Sequence, residues 1–201
     1  MVHAGKLLTP GFYRRPVEDV ARDLLGMRLQ LDPIVLKITE VEAYGGVEDS
    51  ASHCRSGRTA RNAPMWEDGG CAYIYVCYGL HHMLNIVTGR AGEGSAVLVR
   101  ACEPLEGLEL IRARRGQLQG SALLTGPGRV AQALGLDRAF NRQPVHEAGG
   151  LEIREGKPPE VVLHGPRIGV PYADPADRAA PLRFAVGGSS WVAERKQLTR
   201  F

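Results

Sequence analysis

Within ITEVEAYGGVEDSASH, Ile38 to His53, Glu40, Glu42, Tyr44 and His53 stand close together. Val35, Leu36, Ile38, Thr39 and Val41 favour a strand there. Strand side chains alternate. Ile38, Glu40, Glu42 and Tyr44 are therefore expected on one face, roughly 7 Å between alternate residues, with Lys37, Thr39, Val41 and Ala43 on the other. Gly45-Gly46 ends the strand, and Asp49 can cap a short helical turn that delivers His53. A carboxylate on a rigid strand, an aromatic two residues on and a histidine on the next turn can hold a planar ligand or activate a water. The same residues fit a solvated strand with Tyr44 at its edge, and from this stretch alone both readings stand.

Three further groups carry polar chemistry. Arg100 interrupts the apolar run SAVLVRAC, Ser95 to Cys102, which is expected to be covered on both faces. A buried arginine needs a carboxylate or phosphate partner, and Glu42 is the candidate; a strand-end arginine reaching solvent is the alternative. Arg55, Arg58 and Arg61 lie in a loop of small polar residues, suited to anions or simply solvated. Cys71 to Tyr78 reads as a strand, with Tyr73, Tyr75 and Cys77 on one face and Ile74, Val76 and Tyr78 on the other. Gly79 supplies a turn, and His82 to Val87 returns as a second strand. The tip of that hairpin carries Tyr78, Leu80, His81 and His82, rings that either meet a partner or fold back onto the core. Asn85, in an otherwise apolar strand, is expected to have a hydrogen-bonding role.

The elements around these groups are ordinary. Pro16 opens a helix with Val17, Val20, Leu24 and Leu25 at helical spacing, and Gly26 stops it. Met27–Leu31 and Val35–Tyr44 read as strands joined at Asp32-Pro33. Glu103 to Arg115 reads as an amphipathic helix whose apolar face is Leu105, Leu108 and Ile111; Arg112, Arg114 and Arg115 in its last turn suit the helix dipole or a phosphate. Thr125 to Arg129 is a glycine-rich start to a helix ending near Leu134-Gly135, where free amides could hold a phosphate. Short strands are expected at Leu151–Arg154, Val161–Leu163, Ile168–Val170 and Leu182–Val186, with Trp191 and Val192 closing the core.

At 201 residues, 44% hydrophobic and 23% charged, the chain suits one domain, taken as residues 1–201, with enough core to need no staples. Its net charge is +3, and all but four of its 25 basic residues are arginines. That bias fits bidentate phosphate contacts, and fits a GC-rich genome equally. Cys54, Cys71, Cys77 and Cys102 form no Cys-x-x-Cys pair, so no zinc site is expected; His53-Cys54 leaves a His/Cys metal site as a minor alternative. The N-terminal MVHAGKLLTPGFYRR lacks the apolar core of a signal peptide, and no run reaches the length of a membrane span. A cytoplasmic protein with reduced thiols is expected.

Taken together, ITEVEAYGGVEDSASH, RSGRTARN, YIYVCYG with Asn85, VLVRACEPLEGLE, TGPGRVAQAL, GPRIGV and PLRFAVGGSSWV resemble the alkyladenine DNA glycosylase family, the eukaryotic-type 3-methyladenine DNA glycosylases also found in bacteria. The likeness runs in order from Pro16 onward. It implies a mixed α/β (α+β) single domain with a curved antiparallel sheet, surrounding helices and a protruding β-hairpin. It implies that Glu42 is the general base that activates water, and that Arg100 helps to hold the water and the target nucleotide. Tyr44, His53 and Tyr75 match the residues that sandwich a flipped base, Asn85 an asparagine that affects which purines fit, and Tyr78 the tyrosine that intercalates. Arg58, Arg112, Arg115, Arg129, His81 and His82 fall where the family meets the DNA backbone. A carbonyl in Arg167–Val170 matches one that also holds the water. Two departures stand out: the histidines at the hairpin tip, and an arginine loop about one residue shorter than in some relatives, which bears on Arg61.

The implied partner is double-stranded DNA carrying alkylated or deaminated purines, met by a monomer near the nucleoid without cofactor, metal or membrane. Lys37 is expected on the face opposite Glu42 and the other three lysines lie outside the motifs, so no amine is placed for a Schiff-base step. The expected outcome is an abasic site in an intact strand. Two rivals remain at this point: a sugar hydrolase using Glu40 and Glu42 as an acid–base pair at about 7 Å, and a DNA-binding module without catalysis.

Overall fold

A computed structural model of the chain describes residues 5–116 and 118–201; the reading of the N-terminus at Met1–Ala4 lies outside them. The helices are α1 (Pro10–Tyr13), α2 (Val17–Leu24), α3 (Leu108–Arg115), α4 (Pro127–Leu134) and α5 (Pro175–Ala179). The strands are β1 (Arg28–Leu31), β2 (Ile34–Tyr44), β3 (Ala72–Cys77), β4 (His81–Thr88), β5 (Ser95–Glu106), β6 (Glu152–Arg154), β7 (Val162–Gly165), β8 (Arg183–Val186) and β9 (Thr199–Arg200). They form one antiparallel sheet in the order β3-β4-β5-β2-β8-β7-β9, with β1 joining β2 and β6 joining β1. The expected mixed α/β class is what is found.

One face of the sheet holds the main core. Leu36, Ile38, Val41 and Ala43 of β2, Ile74 of β3, Leu84 and Ile86 of β4, and Val97 and Val99 of β5 pack there. Val20, Ala21 and Leu24 of α2, Ile111 of α3, and Val130, Ala131 and Leu134 of α4 cover them. The apolar stripes of these helices bury against the sheet, as amphipathic helices must.

Simple alternation fails in the middle of β2. Ile38 pairs with Cys102, Glu40 with Ala101 and Val41 with Val99, so Thr39 on one strand and Arg100 on the other are the extra residues of paired irregularities. Such a bulge moves later side chains to the opposite face. Ile38 therefore packs in the core with Val41 and Ala43, while Glu40 and Glu42 face the other side. By the same shift Lys37 lies on the glutamates' side of the sheet rather than opposite them. Lys37 stands five residues along the strand from Glu42, about 16 Å, and its ammonium is bound to Glu103.

Three other expectations are corrected. The segment from Glu103 to Glu106 is strand, not helix: Glu103 pairs with Lys37, Pro104 with Leu36 and Glu106 with Val35, and Leu105 is exposed. The helix begins only after Gly107, whose φ of +79° and contact with Ile34 and Pro33 break the chain direction. Ile168–Val170 is a turn rather than a strand. Asp49 organises turns rather than capping a helix, accepting from the Ala51 and Gly45 amides.

Among the described residues, no helix is long and apolar enough to cross a membrane.

Candidate active site

Sheet register lines up the site residues. Tyr73 pairs with Asn85, Asn85 with Leu98, Leu98 with Glu42, and Glu42 with Arg183, so one row of side chains crosses five strands on the face away from the main core. Neighbouring strands lie about 4.8 Å apart, which sets Asn85 roughly 10 Å from Glu42 with Leu98 between them.

Two small apolar clusters stand on this face and leave a gap. On one side Cys54, Met65, Cys71, Tyr73, Val87 and Ala96 pack together, with Trp66 and Tyr75 against them. On the other, Ala51, Val170 and Ala173 pack with Tyr44. Between them opens a cavity of about 550 Å³, walled by Tyr44, His53, Tyr75, Asn85, Arg100 and Ile168 among others. That volume falls in the range of small-molecule sites.

Glu42 is fully buried directly behind this wall. Its Oε2 accepts from the Tyr44 hydroxyl at 2.8 Å and from Arg100 Nη1 at 3.1 Å; its Oε1 accepts from the Ile168 amide at 2.6 Å. All three donors border the cavity. Burial disfavours the charge on Arg100, but Glu42 and Glu40 beside it more than compensate and raise its pKa above the ordinary arginine value. Burial, and then the neighbouring Glu42 charge, push the Tyr44 phenol well up, so it stays a donor. Glu40 is also fully buried, but Arg100 Nε, Arg183 Nη1 and the Ala193 amide occupy its oxygens at 3.2, 3.3 and 2.7 Å.

The rings divide into two groups. His53 and Tyr75 meet edge-to-face at 4.5 Å between centroids, and the His53 Nδ1 is 3.0 Å from the Tyr73 hydroxyl. Burial, then the charges of Arg61 and Arg55, lower the His53 pKa to about 4, so the ring is neutral at pH 7. Across the gap, the Arg167 guanidinium lies 4.8 Å over the Tyr44 ring and is held in turn by both oxygens of Asp49. Asn85 donates from Nδ2 to the Tyr73 and Met83 carbonyls, which turns its Oδ1 the other way.

At the cavity edge the β3–β4 hairpin projects. Tyr78 and Leu80 at its tip are 90% and 78% exposed. Tyr78 and Gly79 both have positive φ, and the Leu80 amide closes the turn on the Cys77 carbonyl. Such a turn suits a tight hairpin, and a bulky residue there is uncommon.

The residues expected at the DNA backbone lie apart from the cavity wall. Arg58 is exposed on its loop. Arg112 pairs with Glu109; Arg115 bonds the Leu123 carbonyl and Gln132; Arg129 bonds the Ala122 and Thr125 carbonyls. Burial and the adjacent Arg129 charge lower the Arg115 pKa, so the two cations are neighbours. The ring of His81 packs close to Gly128 at the start of α4, and His81 and His82 line a groove with Gln132 and Leu136.

The sequence reading undervalued three residues. Arg61 lines the cavity with its guanidinium 5.5 Å over the Tyr75 ring. Tyr172 borders it as well, its hydroxyl on the Ala51 carbonyl and Arg55 5.0 Å over its ring. Arg183, inside PLRFAVGGSSWV, is fully buried beside Glu40. A lone arginine in an apolar strand was the available signal for Arg183, the same one that exposed Arg100.

Residues 11–190 match the family model described as methylpurine-DNA glycosylase. The chain belongs to the methylpurine-DNA glycosylase family. Family members are DNA glycosylases, repair enzymes that hydrolyse N-glycosyl bonds, and this chain is accordingly an enzyme of that kind. It is 53% identical over 193 residues to a Nitrosococcus oceani protein provisionally named a 3-methyladenine DNA glycosylase, covering 96% of each chain. It is 47% identical over 193 residues to the Arabidopsis thaliana DNA-3-methyladenine glycosylase, covering 95% of this chain and 76% of that one. The matched residues take in the whole Glu42–Arg100–Tyr44 cluster and the hairpin.

Proposed function

We propose that the protein extrudes alkylated purines such as 3-methyladenine, and deaminated purines, from duplex DNA, and hydrolyses the N-glycosidic bond with a water activated by Glu42. The observation that carries this reading is the buried Glu42 carboxylate, held by Tyr44, Arg100 and the Ile168 amide at the back of a ring-walled cavity beside an exposed tyrosine tip.

A base inside a duplex is out of reach, and unstacking it costs a few kcal/mol. Tyr78 fills the gap it leaves and opposes its return. The extruded base enters between Tyr44 on one side and His53 and Tyr75 on the other. A purine nucleotide alkylated at N3 or N7 is cationic, and aromatic faces attract cations by about 0.5–2 kcal/mol. A neutral His53 fits that slot, whereas a charged one would repel the base. Asn85 Oδ1 offers an acceptor to the purine edge. Positive charge then develops on the sugar, and the Glu42 carboxylate stabilises it while taking a proton from the attacking water. A cationic base leaves as the neutral purine, and a neutral, deaminated base leaves with the proton that the attacking water gives up through Glu42.

The reaction stops at an abasic site, since the nearest strand amine, Lys37, is tied to Glu103. Glu40 is ill-suited to the second carboxyl of a sugar hydrolase: of its three donors only Arg100 borders the cavity, and Arg183 and the Ala193 amide hold it from the far side, whereas all three donors to Glu42 border the cavity. Incubation with methylated duplex DNA, with released bases separated and strand integrity read on a denaturing gel, tests the proposal. Free 3-methyladenine and unbroken strands are expected. Strand cleavage without heat or base would contradict the monofunctional step, and no base release at all would favour a binding module.

A further inference from the structure

We infer that Glu40 and Arg183 are positioning residues, which aim Arg100 and the segment from Pro166 to Ile168 at Glu42. The inference rests on the reading of Glu42 as the general base. Arg100 is forked between two carboxylates: its Nε lies 3.2 Å from Glu40 Oε1 and its Nη1 3.1 Å from Glu42 Oε2. The plane of a guanidinium is rigid, so the contact at Nε fixes the direction in which Nη1 points. Glu40 is fixed in turn from the far side. Arg183 Nη1 meets the same Oε1 at 3.3 Å, and the Ala193 amide meets Oε2 at 2.7 Å.

Arg183 also reaches the second support of Glu42. Its Nε donates to the Pro166 carbonyl at 2.9 Å, two residues before the Ile168 amide that binds Glu42 Oε1. One buried side chain therefore secures both donors on opposite oxygens of the base. Arg183 further balances the charge of Glu40, which leaves the Arg100 charge available to Glu42.

Stability alone is a poor reason for this arrangement. Glu40 and Arg183 are both fully buried, and Arg183 Nη2 is buried without a protein partner. Buried ion pairs recover their desolvation cost only with excellent geometry, and apolar residues of similar volume often stabilise as well or better. A fixed geometry at Glu42 is what apolar residues could not supply.

The test compares single-turnover base release from methylated duplex DNA with affinity for duplex DNA carrying one abasic site. Glu40→Gln keeps size and one acceptor oxygen but removes the charge; Arg183→Lys keeps the charge but removes the fork. Each is expected to lower the single-turnover rate at least tenfold while changing affinity less than twofold. Ile38→Val, a core change away from Arg100, is expected to lower thermal stability and leave the rate alone. If Glu40→Gln does not fold, Arg183→Lys decides, and the reverse. Wild-type rates in the folded variants, or equal losses of rate and affinity, would overturn the inference. Glu42→Gln run in parallel separates the failures: if it keeps full activity the general-base reading falls, and if it is inactive beside fully active Glu40→Gln and Arg183→Lys only the positioning role falls.

Discussion

Each oxygen of Glu42 is already engaged before substrate arrives, and that engagement sets what single substitutions should do. Tyr44→Phe removes one donor from Oε2 but leaves the ring, with Arg167 over its face. A hydrogen bond to a charged group contributes about 1.5–3 kcal/mol to stability, so the melting temperature should fall by several degrees, and single-turnover base release by the folded variant should fall at least about tenfold. His53 gives a pH prediction. Its pKa in the fold, about 4, lies below the ordinary 6.5, so between these values the unfolded chain binds a proton that the native chain does not. The stability it contributes is fully present above pH 6.5 and is lost as pH falls toward 4. Denaturant midpoints should show the wild type losing ground to His53→Gln over that window; parallel pH profiles for the two proteins would contradict the burial of a neutral ring. At this scale much was legible. Arg100 stood out as a charge in an apolar strand, whereas Glu42, on a strand that also carries Lys37 and Glu40, was left open by its own stretch and singled out by the family resemblance. Arg183 and Arg167 carried the same mark but were hidden inside motifs read as a whole, and the Ile168 amide, being backbone, leaves no mark in a sequence.

Among the elements, the hairpin was the most readable, because alternating side chains and Gly79 specify both strands and turn. Its tip projects Tyr78 almost wholly into solvent. Tyr78→Ala should therefore leave folding intact and lower excision from duplex DNA about tenfold, with a smaller loss on single-stranded substrate, where no gap has to be filled. Equal losses on both substrates would argue against a wedge. The paired irregularity at Thr39 and Arg100 was not readable: one extra residue leaves no signature in composition, yet it reverses the faces of β2. The helix expected at Glu103 yielded to pairing with β2, a case of tertiary contacts outweighing local propensity. Ile168–Val170 has the apolar alternation of a strand, but Gly169 at φ +81° turns the chain so that the Ile168 amide meets Glu42.

Across the whole molecule, a helix-covered face supplies rigidity while the opposite face carries the row from Tyr73 to Arg183. The modest net charge of +3 understates the basic groups near the hairpin, where Arg115 and Arg129 adjoin each other and His81 lies against the start of α4. If these groups meet phosphates, affinity for duplex DNA should fall with salt at a slope of about −0.9 per phosphate contacted, and Arg129→Ala should make that slope shallower by about one unit. An unchanged slope would place the DNA backbone elsewhere.

The most direct measurement is single-turnover base release by Glu42→Gln on methylated duplex DNA, beside its affinity for the same duplex. A general base contributes roughly 10²–10⁴-fold. The variant is expected to bind like the wild type and to release base about a thousandfold more slowly, whereas release at the wild-type rate would show that the water is activated by some other group.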